Sequence, residues 1–163
     1  MRRLAPLFAT VLTLAWGLWF GGIVMVFLAV TSVFRTFAPD RALAGTAAAG
    51  VFRRFEGYQL VLAAVAVVAS IAWRAADRSA RGRKTALVAL LLLAAGAALV
   101  STFVVSRRIE ALRQSRQTDT PEFRRLHGTS MMVYTAEAAV LLAAGLVLPS
   151  ALNQRAGEGN PPA

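Results

Sequence analysis

From Leu4 to Phe34 the chain runs 31 residues without one charged side chain, directly after Arg2-Arg3. Nothing else in the sequence restricts the fold so strongly. About 20 apolar residues cross a bilayer, so this run spans one with length to spare, by tilting or protruding. A secretory signal has an apolar region of only about 7–15 residues and a small-residue cleavage site. This run is longer, and Thr36-Phe37-Ala38 is a poor site, so we read it as a retained first crossing. Three more apolar runs follow, and the crossings fall at about 7–34, 57–76, 85–106 and 128–148. The fold class is therefore all-α: a four-helix transmembrane bundle, one domain over 1–152. The polar, Gly- and Pro-containing tail 153–163 is expected to be disordered.

Between the runs the chain is basic. It carries 18 Lys and Arg against 8 Asp and Glu, a net charge of +10. Basic residues flanking apolar runs are what loops beside anionic headgroups carry, so the partner is the lipid bilayer and not nucleic acid. Arg2-Arg3 and the second loop, Arg74 to Lys84, favour both termini in the cytoplasm. Hydrophobic residues make up 57% of the chain, above the 45–50% or so of a soluble domain. The preference for Arg over Lys, with Lys84 the lone lysine, fits a GC-rich bacterial genome, and hence the inner membrane of a bacterial cell.

Cysteine is absent and there is one histidine. Disulfides, iron–sulfur clusters and thiolate metal sites are excluded, as is a site needing two histidines from one chain. None of the enzyme motifs with strong local spacing is present. The expectation is no cofactor, no metal and no catalytic residue.

Several local features carry packing or chemistry. Gly17 and Gly21 form a GxxxG that lets a neighbouring helix backbone approach, within the bundle or in a homo-oligomer. Trp16 and Trp19 are most simply packing or interfacial residues. Arg35 to Glu56 reads either as an interfacial amphipathic helix or as the leading end of a long second helix, which we favour. Arg74 to Lys84 is a hydrophilic turn with five basic residues and one acid. The third helix should continue past the membrane to Gln117, with Glu110 pairing to Arg113. Thr120-Pro121-Glu122 is a helix start, with Thr as N-cap and Pro at the first position. Pro149 should close that helix.

The helix ends that project past the lipid on one side form a small aqueous cap. Arg53, Arg54, Glu56, Arg107 and Arg108 are read as its solvated face, or as contacts to lipid headgroups. Beside this cap the fourth helix begins a polar stripe. His127, Ser130, Tyr134 and Glu137 follow at steps of three, four and three, on one face. Glu137 is the charge placed deepest in an apolar run. An acid there either handles protons or cations, or pins packing through Thr, Ser or Tyr partners. His127 marks the water-facing entry of the stripe, bonded to Glu56 or Glu110 or passing protons inward.

These residues also carry a resemblance. Trp16-Gly17-Leu-Trp-Phe-Gly21-Gly22 running to Phe34, Ala44-Gly45 followed by Phe52, and Phe123-Arg-Arg-Leu-His127-Gly-Thr-Ser130 together resemble the transmembrane protein 205-like family. That resemblance implies a four-helix membrane bundle and an interest in His127 and Ser130, with no established reaction. Thr31-Ser32-Val33 stands where a proline is usual, and Tyr134 where an amide is expected. The functional expectation is a small transporter-like or accessory membrane protein whose substrate, an ion or small molecule, the residues leave open. A membrane redox or haem-associated protein, or an assembly factor, is the alternative.

Overall fold

The computed structural model describes residues 2–153; the remaining tail residues, 154–163, lie outside the described part, and with them most of the expected disordered tail. After one short turn, α1 (Ala5–Thr36) and α2 (Arg41–Ala76) form the first hairpin. The third rod is α3 (Arg81–Val100), a π-helical segment (Ser101–Ser106) and α4 (Arg107–Gln114) in sequence, and α5 (Pro121–Leu152) completes the bundle. Four rods are long and apolar enough to cross a membrane. The protein is thus an all-α, multi-pass four-helix bundle, as the charge-free runs require.

Local sequence explains the ends. The Asp40 side chain accepts from Leu43 N–H at 2.9 Å and caps α2. Thr120 does the same for α5 from Phe123 N–H at 3.2 Å, with Pro121 at the first position. Arg35 to Glu56 is no separate interfacial helix: α2 continues unbroken from Arg41 through Ala76. Pro149 does not close α5. It removes one hydrogen bond near the end, the helix runs on to Leu152, and Asn153 N–H bonds back to the Pro149 carbonyl. Arg83 binds the exposed Ser150 carbonyl at 2.7 Å, satisfying one of the last acceptors.

Packing follows the sizes of the side chains. The helix contacts are built on Ala15, Ala66, Ala94, Ala98 and Ala144, while Val61, Val68 and Leu146 stand 63%, 66% and 74% exposed. Large side chains also fill the inside, Leu12, Ile23, Leu87, Leu91 and Leu141 among them. Large apolar groups outside are what a lipid solvent permits, because tails solvate leucine as well as a core does, and the alanines let the backbones come close. Both α1 and the third rod pack against α2 and α5. Two glycines make closest approaches. A Cβ on Gly145 would meet Trp16 Cζ2 at 2.2 Å, and one on Gly22 would meet Phe55 Cε2 at 2.9 Å. Gly17 and Gly21 do not serve this purpose inside the bundle: a Cβ at either meets nothing within 4 Å. Their GxxxG face is open.

The hydrophilic turn after α2 also differs from the expectation. Helix α3 starts at Arg81, earlier than 85, and Lys84 is 1% exposed. Its ammonium pairs with Asp77 at 2.8 Å, donates to Ser79 Oγ and the Asp77 carbonyl, and sits 4.7 Å from the Trp73 ring centre. Partial burial pushes the Asp77 carboxyl up, but hydrogen bonds from Lys84 and Ser79 outweigh it and hold the group well below the usual carboxylate range.

Candidate functional site

At the opposite end the two hairpins separate around a cavity of about 600 Å³. Its walls come from the end of α1 (Val30, Phe34), the first half of α2, the π segment with α4, and the first half of α5. Arg53, Arg107 and Arg113 line it, as do His127, Ser130 and Tyr134. Arg54 and Arg108 are not lining residues: Arg54 is exposed and Arg108 pairs with Glu122 at 3.7 Å. Between α2 and α4 the wall is latched. Arg53 lies 3.8 Å from Glu110, and Arg113 donates to the Gly45 carbonyl at 3.2 Å. Glu110 therefore meets Arg53 across helices, and its charge also acts on Arg113 three residues on, the pair the i+3 spacing suggests.

Glu56 is not on a solvated face. It is buried, and its Oε1 accepts from the Ser106 hydroxyl and, at 3.3 Å, from the Tyr134 phenol. Phe52 and Phe55 pack on the Tyr134 ring, with centres 5.4 and 6.5 Å away. Glu56, Ser106 and Tyr134 form a first polar layer from three rods.

A second layer lies one turn deeper. Helices α2 and α5 both run away from the cap and the third rod runs towards it. One turn on from Glu56 is Gln59, one turn on from Tyr134 is Glu137, and below Ser106 are Thr102 and Ser101. Gln59, Ser101 and Glu137 are fully buried. Trp19 of α1 closes the layer, donating from Nε1 to Glu137 Oε1 at 2.9 Å. Trp16 donates to the Leu141 carbonyl at 2.8 Å, one turn further along α5. Five atoms in this layer have no hydrogen-bond partner among the described residues: both amide atoms of Gln59, Ser101 Oγ, Thr102 Oγ1 and Glu137 Oε2. Ser101 Oγ lies towards the Tyr134 phenol without meeting hydrogen-bond geometry.

The π segment makes this arrangement possible. Residues five apart in an α-helix point about 140° apart, whereas i→i+5 bonding brings them close to alignment. Ser101 and Ser106 thus both turn into the bundle. Depth can be read from the charges. Arg54 and Arg74 bracket 19 residues of α2, about 28 Å, close to the thickness of the hydrocarbon core. On α5, Glu137 is ten residues past His127, about 15 Å in and near mid-membrane.

The stripe therefore splits in two. Tyr134 and Glu137 are buried, while Ser130 is half-buried and His127 exposed on the cavity wall. His127 reaches neither Glu56 nor Glu110; its ring stacks on Phe123, centres 6.3 Å apart. Sequence reasoning missed Trp19 as the partner of Glu137, because tryptophan in a membrane helix has ample apolar reasons to be there. It also missed Gln59 and the π segment. The one signal for Gln59 was its polarity three residues after Glu56. No cluster of three or more His, Cys, Asp or Glu suited to a metal ion occurs among the described residues.

Residues 14–118 match the family model described as a domain of unknown function, DUF4149, and the chain belongs to that family. The match runs from within α1 through α4 and takes in Trp19, Glu56, Gln59, Ser101, Thr102 and Ser106, but not His127, Ser130, Tyr134 or Glu137. No curated protein and no solved structure matches the chain.

Proposed function

We propose that this protein is a small transporter-like membrane protein that passes a proton or small cation between the cap-side cavity and Glu137. The observation that carries the reading is the pair of polar layers beneath the cavity, which leads from an arginine-edged opening to a mid-membrane carboxylate. No cationic side chain is bonded to Glu137 among the described residues, so an ionised Glu137 needs a proton or a cation brought to it. Intramembrane acids of this kind are costly to retain, by about 2.5–3.5 kcal/mol on insertion scales, and usually mark a path. His127 and Ser130 stand at the entry, and Tyr134 with Glu56 forms the gate above Glu137.

Four helices enclose little room, so the working unit is an oligomer joined through the open Gly17–Gly21 face of α1. With both termini in the cytoplasm of a bacterial cell, the cavity opens on the opposite side of the inner membrane. The resemblance to the transmembrane protein 205-like family is compatible with this reading and supplies no reaction.

The test is reconstitution into vesicles with a pH-sensitive dye inside. An imposed ion gradient should drive a proton flux above that of empty vesicles, abolished by Glu137→Gln and slowed by Glu56→Gln. Wild-type flux equal to that of empty vesicles, or unaffected by Glu137→Gln, overturns the proposal. The Trp19–Glu137 hydrogen bond supports a second reading, in which Glu137 only pins α1 to α5. Under that reading Glu137→Leu lowers the melting temperature and no flux exists.

A further inference from the structure

The second polar layer holds more unpaired groups than any packing role accounts for. Buried polar atoms are bonded in the great majority of cases, and leaving one unpaired costs about 1–3 kcal/mol. Here five unpaired atoms fall in one layer, all in side chains whose polar ends are buried. Four of the five are oxygens: a carboxylate oxygen, an amide oxygen and two hydroxyls. They come from α2, the third rod and α5; Thr102 also lines the floor of the cap-side cavity, and Trp19 meets Glu137 from α1.

We infer that this layer is a binding site for a monovalent alkali cation, with sodium the intended occupant. The inference rests on the transporter-like reading and names its coupling ion. The donor set contains only hard oxygen ligands, which suit alkali and alkaline-earth ions over soft metals. One carboxylate neutralises one positive charge. A divalent ion would call for a second carboxylate in the same layer, and the other nearby acid, Glu56, lies one turn above with its Oε1 turned to Ser106 and Tyr134. Glu137 can supply Oε2 to the ion while Oε1 keeps its bond from Trp19. Gln59 would contribute Oε1 and turn its amide nitrogen towards a carboxylate or water. The π segment is the departure from ideal helix that presents Ser101 and Thr102, in keeping with coupling-ion sites formed where membrane helices are irregular.

Trp19 provides the reporter. In full-length protein in lipid nanodiscs, with Trp16→Phe and Trp73→Phe removing the other indoles, emission is titrated with NaCl, KCl or choline chloride at constant ionic strength. Equilibrium binding of radiolabelled sodium and the melting temperature are measured on the wild type, so the result does not depend on the double variant folding. Sodium should shift emission saturably and raise the melting temperature by mass action, where choline does not. Glu137→Gln, which keeps an acceptor for Trp19, should abolish both responses, and Ser101→Ala should weaken them. Superimposable salt responses with no bound sodium overturn the inference and leave a layer filled by water. If that happens while Glu137-dependent proton flux persists, the transporter-like reading stands and only its sodium coupling falls. Bound sodium without flux of either ion has the reverse meaning.

Discussion

Replacing Gly145 by alanine tests the junction that sets α1 against α5 and so brings Trp19 to Glu137. The added methyl carbon would sit 2.2 Å from Trp16 Cζ2 and 2.8 Å from Cη2, both on a rigid ring. Overpacking of this kind costs about 1–3 kcal/mol. Moving the ring also endangers the Trp16 Nε1 bond to the Leu141 carbonyl, worth about 1 kcal/mol. Against this, alanine improves on glycine inside a helix by about 1 kcal/mol. The net expectation is a loss of about 2 kcal/mol, read as a lower melting temperature in mild detergent. The same substitution in a Trp16→Leu background should lose its penalty and retain the helix gain, so that its sign reverses. A Gly145→Ala variant that is stabilised in the wild-type background, or whose effect is the same in both, would refute the docking of Trp16 on Gly145.

Three further expectations follow from other parts of the bundle. Asp77, held below the usual carboxylate range chiefly by Lys84 and Ser79 against the upward push of burial, adds stability that is present above about pH 4. That stability is lost as pH falls towards the lower folded value, and acid denaturation of Asp77→Asn should lack this component; Asp77→Ala, which leaves Lys84 buried without its carboxylate, should cost about 3–5 kcal/mol at neutral pH. Leucine at Gly17 and Gly21 should leave the monomer's melting temperature nearly unchanged, because those positions face open space, while cross-linking in native membranes should lose any oligomer formed through α1. Ser106→Ala removes one donor to Glu56 and should cost about 1–2 kcal/mol; the same loss from Ser130→Ala would contradict the described hydrogen bonding, since Ser130 does not bond to Glu56.

How much of this could be read from residues alone depends on the range over which each cause acts. Charge-free runs, Asp40 and Thr120 as caps, and the steps from His127 to Glu137 are local in sequence, and they determined four crossings, two helix starts and a polar face on α5. They act over one to a few turns of one helix, where spacing is a physical distance. What covers that face is set by tertiary packing. Trp19 lies 118 residues from Glu137 in the chain, and Ser106 lies 50 from Glu56. No period in the sequence links such pairs, because the meeting depends on helix rotation and on which neighbour packs where. The same holds for glycine: Gly17-x-x-x-Gly21 has the pattern of a packing motif and faces open space, while Gly145, with no motif around it, carries the closest approach. Lys84 looked like loop charge and became a buried pair because α3 begins early enough to bring it under Trp73. Helical spacing alone determined that a polar stripe exists; the facing of the rods, together with the π turn at Ser101–Ser106, made it a site.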